Sequence, residues 1–89
     1  MHKLGDITRV GVILYINKEG KRRPLYIVWE DDETGNREKF KIDKITDYAE
    51  VIPGHFVWIV VIKNQLVSLH NKNGEWYTVH GVTRIWIPQ

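Results

Sequence analysis

Apolar and polar residues alternate with a period of two along most of the chain, which predicts strands rather than helices. Over residues 9–17, Val10, Val12, Leu14 and Ile16 alternate with Arg9, Gly11, Ile13 and Tyr15. The turn segment Lys18-Glu19-Gly20-Lys21 follows, and Pro24 is expected to open a second strand with Leu25, Ile27 and Trp29 on one face. A polar loop, Asp31-Asp32-Glu33-Thr34-Gly35-Asn36, leads into a third strand over 37–43. Glu38, Phe40 and Ile42 occupy one of its faces and Arg37, Lys39 and Lys41 the other. Residues 44–52 are ambiguous. Asp43 can cap a short helix over Ile45, Tyr48, Ala49 and Ile52, whereas Thr46, Tyr48, Val51 and Ile52 suit a strand equally well.

Beyond the Pro53-Gly54 turn the pattern is a meander: 56–62, a turn at Lys63-Asn64, 65–70, a turn over 71–74, then 75–80. After Gly81, residues 82–88 are long enough for one more strand. The expected fold is therefore all-β, a small barrel or roll of six to seven mainly antiparallel strands with at most one short helical turn. It forms a single β domain over 1–89, with 82–89 a C-terminal extension.

The meander has a consequence for partners. A two-residue turn at Lys63-Asn64 puts Phe56, Trp58, Val60, Val67, Leu69 and Trp76 on one face. Val57, Ile59, Val61, Leu66, Tyr77 and Val79 take the other, interrupted by Ser68 and His70. Both faces are apolar, although an antiparallel sheet commonly solvates one. The first three strands, the C-terminal tail or a partner must cover them. Val57, Ile59 and Val61 with Ile85, Trp86 and Ile87 are thus the candidate interaction surface, for a protein partner or for self-association through the last strand.

Composition narrows the classes further. Hydrophobic residues make up 43% of 89 residues, with four Trp and four Tyr, so one core is affordable without staples. No Cys is present, which removes disulfides, thiolate metal sites and a cysteine nucleophile. The N-terminal MHKLGDITRVGV lacks an apolar signal region, and the longest apolar run, 56–62, is far too short for a helical membrane span of about 20 residues. A cytoplasmic protein without a membrane segment is expected. Net charge is only +2, but it is uneven: residues 1–24 carry +4, 25–50 carry −4 and 51–89 carry +2.

Pro24-Leu25-Tyr26-Ile27-Val28-Trp29-Glu30-Asp31, followed by Phe40-Lys41-Ile42-Asp43-Lys44-Ile45-Thr46-Asp47, resembles a family of short uncharacterised Firmicutes proteins with a pattern close to PLxIxWEDGRxFxIDKVxD. Gly74-Glu75-Trp76-Tyr77-Thr78-Val79 is similar to that family's closing strand. The likeness covers roughly 12–80, departing from the pattern in the longer loop after Asp31 and in the segment after Gly81. It implies a small β-rich fold and carries no activity, cofactor or site residue.

Candidate chemistry is sparse. His70 and His80 fall on opposite faces of their hairpin, His2 is terminal and His55 sits at a turn, so no converging metal ligands are expected. The acids of 30–33 lack the alternation and helical frame of an EF-hand and read as a hairpin loop, with a weak divalent-cation site left open as an alternative. Ser68, the only Ser, stands mid-strand without the strained turn of a nucleophile. Glu38 and Asp43 point to opposite faces, a poor acid–base pair. Arg37, Lys39 and Lys41 make a basic stripe, with Arg22 and Arg23 in the preceding hairpin and Tyr15 and Tyr26 nearby, a mixture that suits nucleic acid. A non-enzymatic binding or interaction module without a cofactor is the expected function, with nucleic-acid binding through this stripe as the alternative.

Overall fold

The computed structural model describes residues 5–85, and among them every regular element is a strand. The strands are β1 (Ile7–Arg9), β2 (Gly11–Ile16), β3 (Arg22–Glu30), β4 (Arg37–Lys41), β5 (Lys44–Ile52), β6 (His55–Ile62), β7 (Gln65–Lys72) and β8 (Glu75–Val79). They form a five-stranded sheet in the order β1-β8-β7-β6-β5 and a three-stranded sheet in the order β2-β3-β4. All pairings are antiparallel. The architecture is an open all-β roll. Its strand count exceeds the expected six to seven because 44–52 forms β5 and because a short β1, ending at Arg9, pairs with β8 before β2 turns away beyond Val10 to pair with β3.

Two corners carry the chain between sheets. At Val10 the amide donates to the Trp76 carbonyl at 3.2 Å. At the second, Ile42 donates to Leu25 in the small sheet at 3.0 Å, and the next residue, Asp43, donates to Val61 in the large one at 2.8 Å. Asp43 also accepts a hydrogen bond from the Lys63 amide at 3.3 Å. Its carboxylate is therefore engaged at the β6–β7 turn and not at a helix start, and residues 44–52 follow β6 as an edge strand. A nine-residue helix would be marginal alone, while a strand here satisfies the β6 backbone. Irregularities between Ile45 and Asp47 and between Glu50 and Ile52 break the pairing of β5, a common protection for an edge.

Turn chemistry fixes the registers. Lys63 and Asn64, with φ of 50° and 64°, and Asn73 and Gly74, with φ of 53° and 89°, take the paired left-handed conformations of two-residue hairpins. Pro53-Gly54 makes the third two-residue turn, closed by Ile52 opposite His55. A Cβ on Gly54 would stand 2.9 Å from the Asn73 Oδ1, so glycine here serves both a positive φ and a close approach. Pro24 does not open its strand: β3 begins at Arg22 and Pro24 faces Leu14 across a register shift. It lies beyond the reach of β4, whose pairing starts at Tyr26, so its missing amide N–H costs no bond on that side.

The core lies between the sheets. Ile27 and Ile42 pack against Trp58, Val60 and Leu69, with Val10, Val12, Ile45, Phe56, Ile62, Val67 and Trp76 around them. The apolar strand β6 is buried on both sides. Val60 and Leu69 face the small sheet at 0% exposure, while Val57 and Ile59 on the opposite face reach only 3% and 1%. On that opposite face Val82, Arg84 and Ile85 line a cavity together with Val51, His55, Val57 and His70. Residues 82–85 thus lie over it without forming a strand.

Leu69→Ala should therefore cost about 3 kcal/mol, a large fraction of the roughly 4–13 kcal/mol available to a chain of this length, whereas Leu66→Ala, at an exposed position of the same strand, should cost well under about 1 kcal/mol. Urea unfolding of the two variants reads the difference, and equal losses would contradict the two-faced burial described above.

Candidate functional site

Two regions concentrate chemistry. The first is the outer face of the small sheet. Register pairs Tyr15 with Arg23, Ile13 with Tyr26, Tyr26 with Lys41, Val28 with Lys39 and Glu30 with Arg37, and all of these side chains share the outward face. The shift at Ile13/Leu14 absorbs one extra residue in β3, which lets Arg23 come level with Tyr15. Tyr15 is 56% exposed. Lys39 extends its ammonium over the Tyr26 ring, 4.8 Å from the centroid, a cation–π contact. Arg37 reaches Glu30 at 3.4 Å, an exposed pair of small energetic weight.

Arg22 departs from the expected basic set. The pleat turns it inward, where its guanidinium sits over Phe56 at 4.8 Å. Arg23, Arg37, Lys39 and Lys41 remain on the outer face.

The expected apolar interaction surface also needs correction. Val57 and Ile59 are buried within the chain and Val61 is half-buried, so the first two offer nothing to a second molecule. Ile85 lies against the same face, and Trp86 and Ile87 fall outside the described residues. In the acidic loop, Asp31 accepts the Glu33 amide at 2.9 Å and Thr34 accepts that of Asn36 at 3.2 Å. Between the sheets, Val10, Ile27, Trp29, Phe40, Ile62 and Val67, with Thr8, Glu38 and Thr78, line a largely apolar cleft of about 460 Å³.

The second region was missed by the sequence reading. The partner that His70 meets is His55. The Lys63-Asn64 turn sets Val57 opposite His70, and His55, two residues before Val57, shares that face. Parity around this turn was the signal available in the sequence. His55 Nε2 lies 3.0 Å from His70 Nδ1, and the Tyr77 hydroxyl lies 3.4 Å from the same His55 nitrogen. Below them the Ser68 hydroxyl donates to the Val79 carbonyl at 3.1 Å, and His70 Nε2 lies 3.1 Å from that hydroxyl oxygen. A carbonyl cannot donate, so the Ser68 proton is committed to Val79. His70 Nε2 must therefore carry the proton it gives to Ser68, leaving the Nδ1 lone pair directed at His55. The Ser68 hydroxyl is wholly buried, and its proton points away from His70, the reverse of a nucleophile and its base.

Burial, and secondarily the His55 ring, pushes the His70 pKa down to about 4. Burial and Lys72 lower that of His55, and burial and Glu75 raise that of Tyr77. Among the described residues no three His, Asp or Glu side chains converge. None of them forms a helix long and apolar enough to cross a membrane. No family model, curated protein or solved structure matches the chain.

His70 makes stability depend on pH with a definite sign. The unfolded chain takes up a proton at this side chain around pH 6.5, the folded one only near pH 4. Stability is full above the upper value and declines as pH falls through the window, by at most about 3 kcal/mol. Lys72 acts on His55 and Glu75 on Tyr77, and Arg84 lines the adjoining cavity; these are the charged groups around the pair. In chelator-treated protein, the drop in Tm between about pH 7 and about pH 4.5 should shrink in His70→Gln relative to the unsubstituted chain; an undiminished drop would remove His70 as its cause.

Proposed function

We propose that this protein is a non-enzymatic binding module that takes single-stranded nucleic acid on the outer face of the β2-β3-β4 sheet. The carrying observation is that Arg23, Arg37, Lys39 and Lys41 flank Tyr15 and Tyr26 on one exposed antiparallel face, where Glu30, the one acid among its paired outward positions, is bound to Arg37. A single strand needs cations for its phosphates and flat rings for its bases, and a sheet supplies both at alternate positions. Its bases would stack on the exposed Tyr15 ring, and on Tyr26 once Lys39 leaves that ring for a phosphate, while the four cations follow the backbone. The acidic residues 31–33 mark one end of the face by repelling phosphate. A cytoplasmic setting fits this reading and a chain without cysteine.

Fluorescence anisotropy with a labelled oligothymidine of about ten nucleotides tests the proposal. Affinity should fall with salt, with a log–log slope no steeper than about −3, the limit for four phosphate contacts on a single strand. Lys39→Glu with Lys41→Glu should abolish binding at low salt. Tyr15→Ala should cost about 1–3 kcal/mol of binding, and Arg22→Ala little. Absence of binding at low salt, or binding that survives the double reversal, would overturn the assignment.

A further inference from the structure

Beneath the sheet face opposite the core, the four side chains of His55, Ser68, His70 and Tyr77 form a connected polar group on three strands, separate from the surface proposed for nucleic acid. We propose that His55, His70 and Tyr77 bind a borderline divalent transition-metal ion such as Zn²⁺, with Ser68 as the positioning residue that orients His70.

The argument begins with the tautomer. Ser68 spends its proton on Val79 and accepts one from His70 Nε2, so His70 presents Nδ1 as an unprotonated donor. This is the arrangement by which a second hydrogen bond fixes the orientation and tautomer of a metal-binding imidazole. His55 Nε2 lies 3.0 Å away. Two imidazole nitrogens about 2.0–2.1 Å from one tetrahedral ion stand about 3.3–3.4 Å apart with their lone pairs converging on it; here the rings meet head-on, centroids 5.3 Å apart, so the half-buried His55 ring must swing off the line to His70 to admit the ion. His55 then moves its own ring proton to Nδ1 and offers Nε2, with no net proton released. The Tyr77 oxygen, 3.4 Å from His55 Nε2, stands at the separation expected of a third ligand. Its phenolic proton leaves to solvent on binding if the oxygen ligates as phenolate.

The surroundings favour an ion over a simple histidine pair. The His70 and Tyr77 rings stack at 5.0 Å with a 9° interplanar angle, which limits their rotation and holds both donors in place. His55 and His70 also line a partly open cavity of about 150 Å³ together with Val51, Val57, Val82, Arg84 and Ile85. That space can hold a water or small anion in a fourth position, as in metal sites that keep one position open. Two nitrogens and one oxygen without a carboxylate suit zinc, copper or nickel rather than magnesium or calcium.

Titration of the ¹⁵N-labelled full chain with ZnCl₂, followed through the imidazole nitrogens, tests the site. His2→Ala is introduced throughout to remove chelation by the N-terminus. Saturation at an equimolar ratio is expected, with shifts of His55 Nε2 and His70 Nδ1 while His70 Nε2 stays protonated. His55→Ala, at a half-buried position, and Tyr77→Phe, which retains the ring, should each weaken binding at least about tenfold. Ser68→Ala should weaken it by about tenfold or more, as second-sphere losses do. Amide spectra report whether each variant keeps the fold. Unmoved imidazole signals at an equimolar ratio, or equal affinity in folded His55→Ala, would overturn the proposal.

Discussion

Burial of the β6–β7 hairpin on both faces is the constraint from which the rest of the structure follows. An antiparallel pair with one wet face needs a single covering layer, but this one carries Trp58, Val60 and Leu69 on one side and Val57 and Ile59 on the other. The small sheet must fold over the first side. This requires the chain to change sheets at Val10 and again between Ile42 and Asp43. Residues 82–85 lie over the second side, sheltering the polar group around His70. With the inner face of the small sheet committed to the core, its outer face is left to carry Tyr15, Tyr26 and the four cations.

The division of labour between faces follows from strand parity. Residues that alternate on β3 and β4 send Ile27 and Phe40 inward and Tyr26, Lys39 and Lys41 outward. The same rule on β7 sends Leu69 into the core and Ser68 and His70 to the opposite side. A buried polar group is costly unless satisfied, and Ser68 and His70 meet the requirement through Val79, His55 and each other.

Much of this was legible in the sequence because turns set registers. Lys63-Asn64, Asn73-Gly74 and Pro53-Gly54 identified the meander, and the two apolar faces of β6 followed from it. The basic stripe on β4 was also visible. Arg22 was misplaced because adjacency in sequence says nothing about face, and the pleat separates it from Arg23. Residues 44–52 were ambiguous because local preference fits helix and strand alike; the deciding bond, Asp43 to Val61, spans the chain. The pair His55 and His70 escaped notice because His55 was read as a turn residue, although it opens β6. The division at Val10 leaves no local mark, since the alternation continues across it.

Native-state hydrogen exchange measures the central constraint directly. Trp58, Ile59, Val60 and Leu69 should own the slowest amides and exchange only through global unfolding, because β6 and β7 are paired on both edges and covered on both faces. Amides of β2 and β4, at the edges of a sheet with one open face, should exchange through smaller openings. Slowest exchange in β2-β3-β4, with β6 and β7 opening well below the global unfolding free energy, would contradict this account.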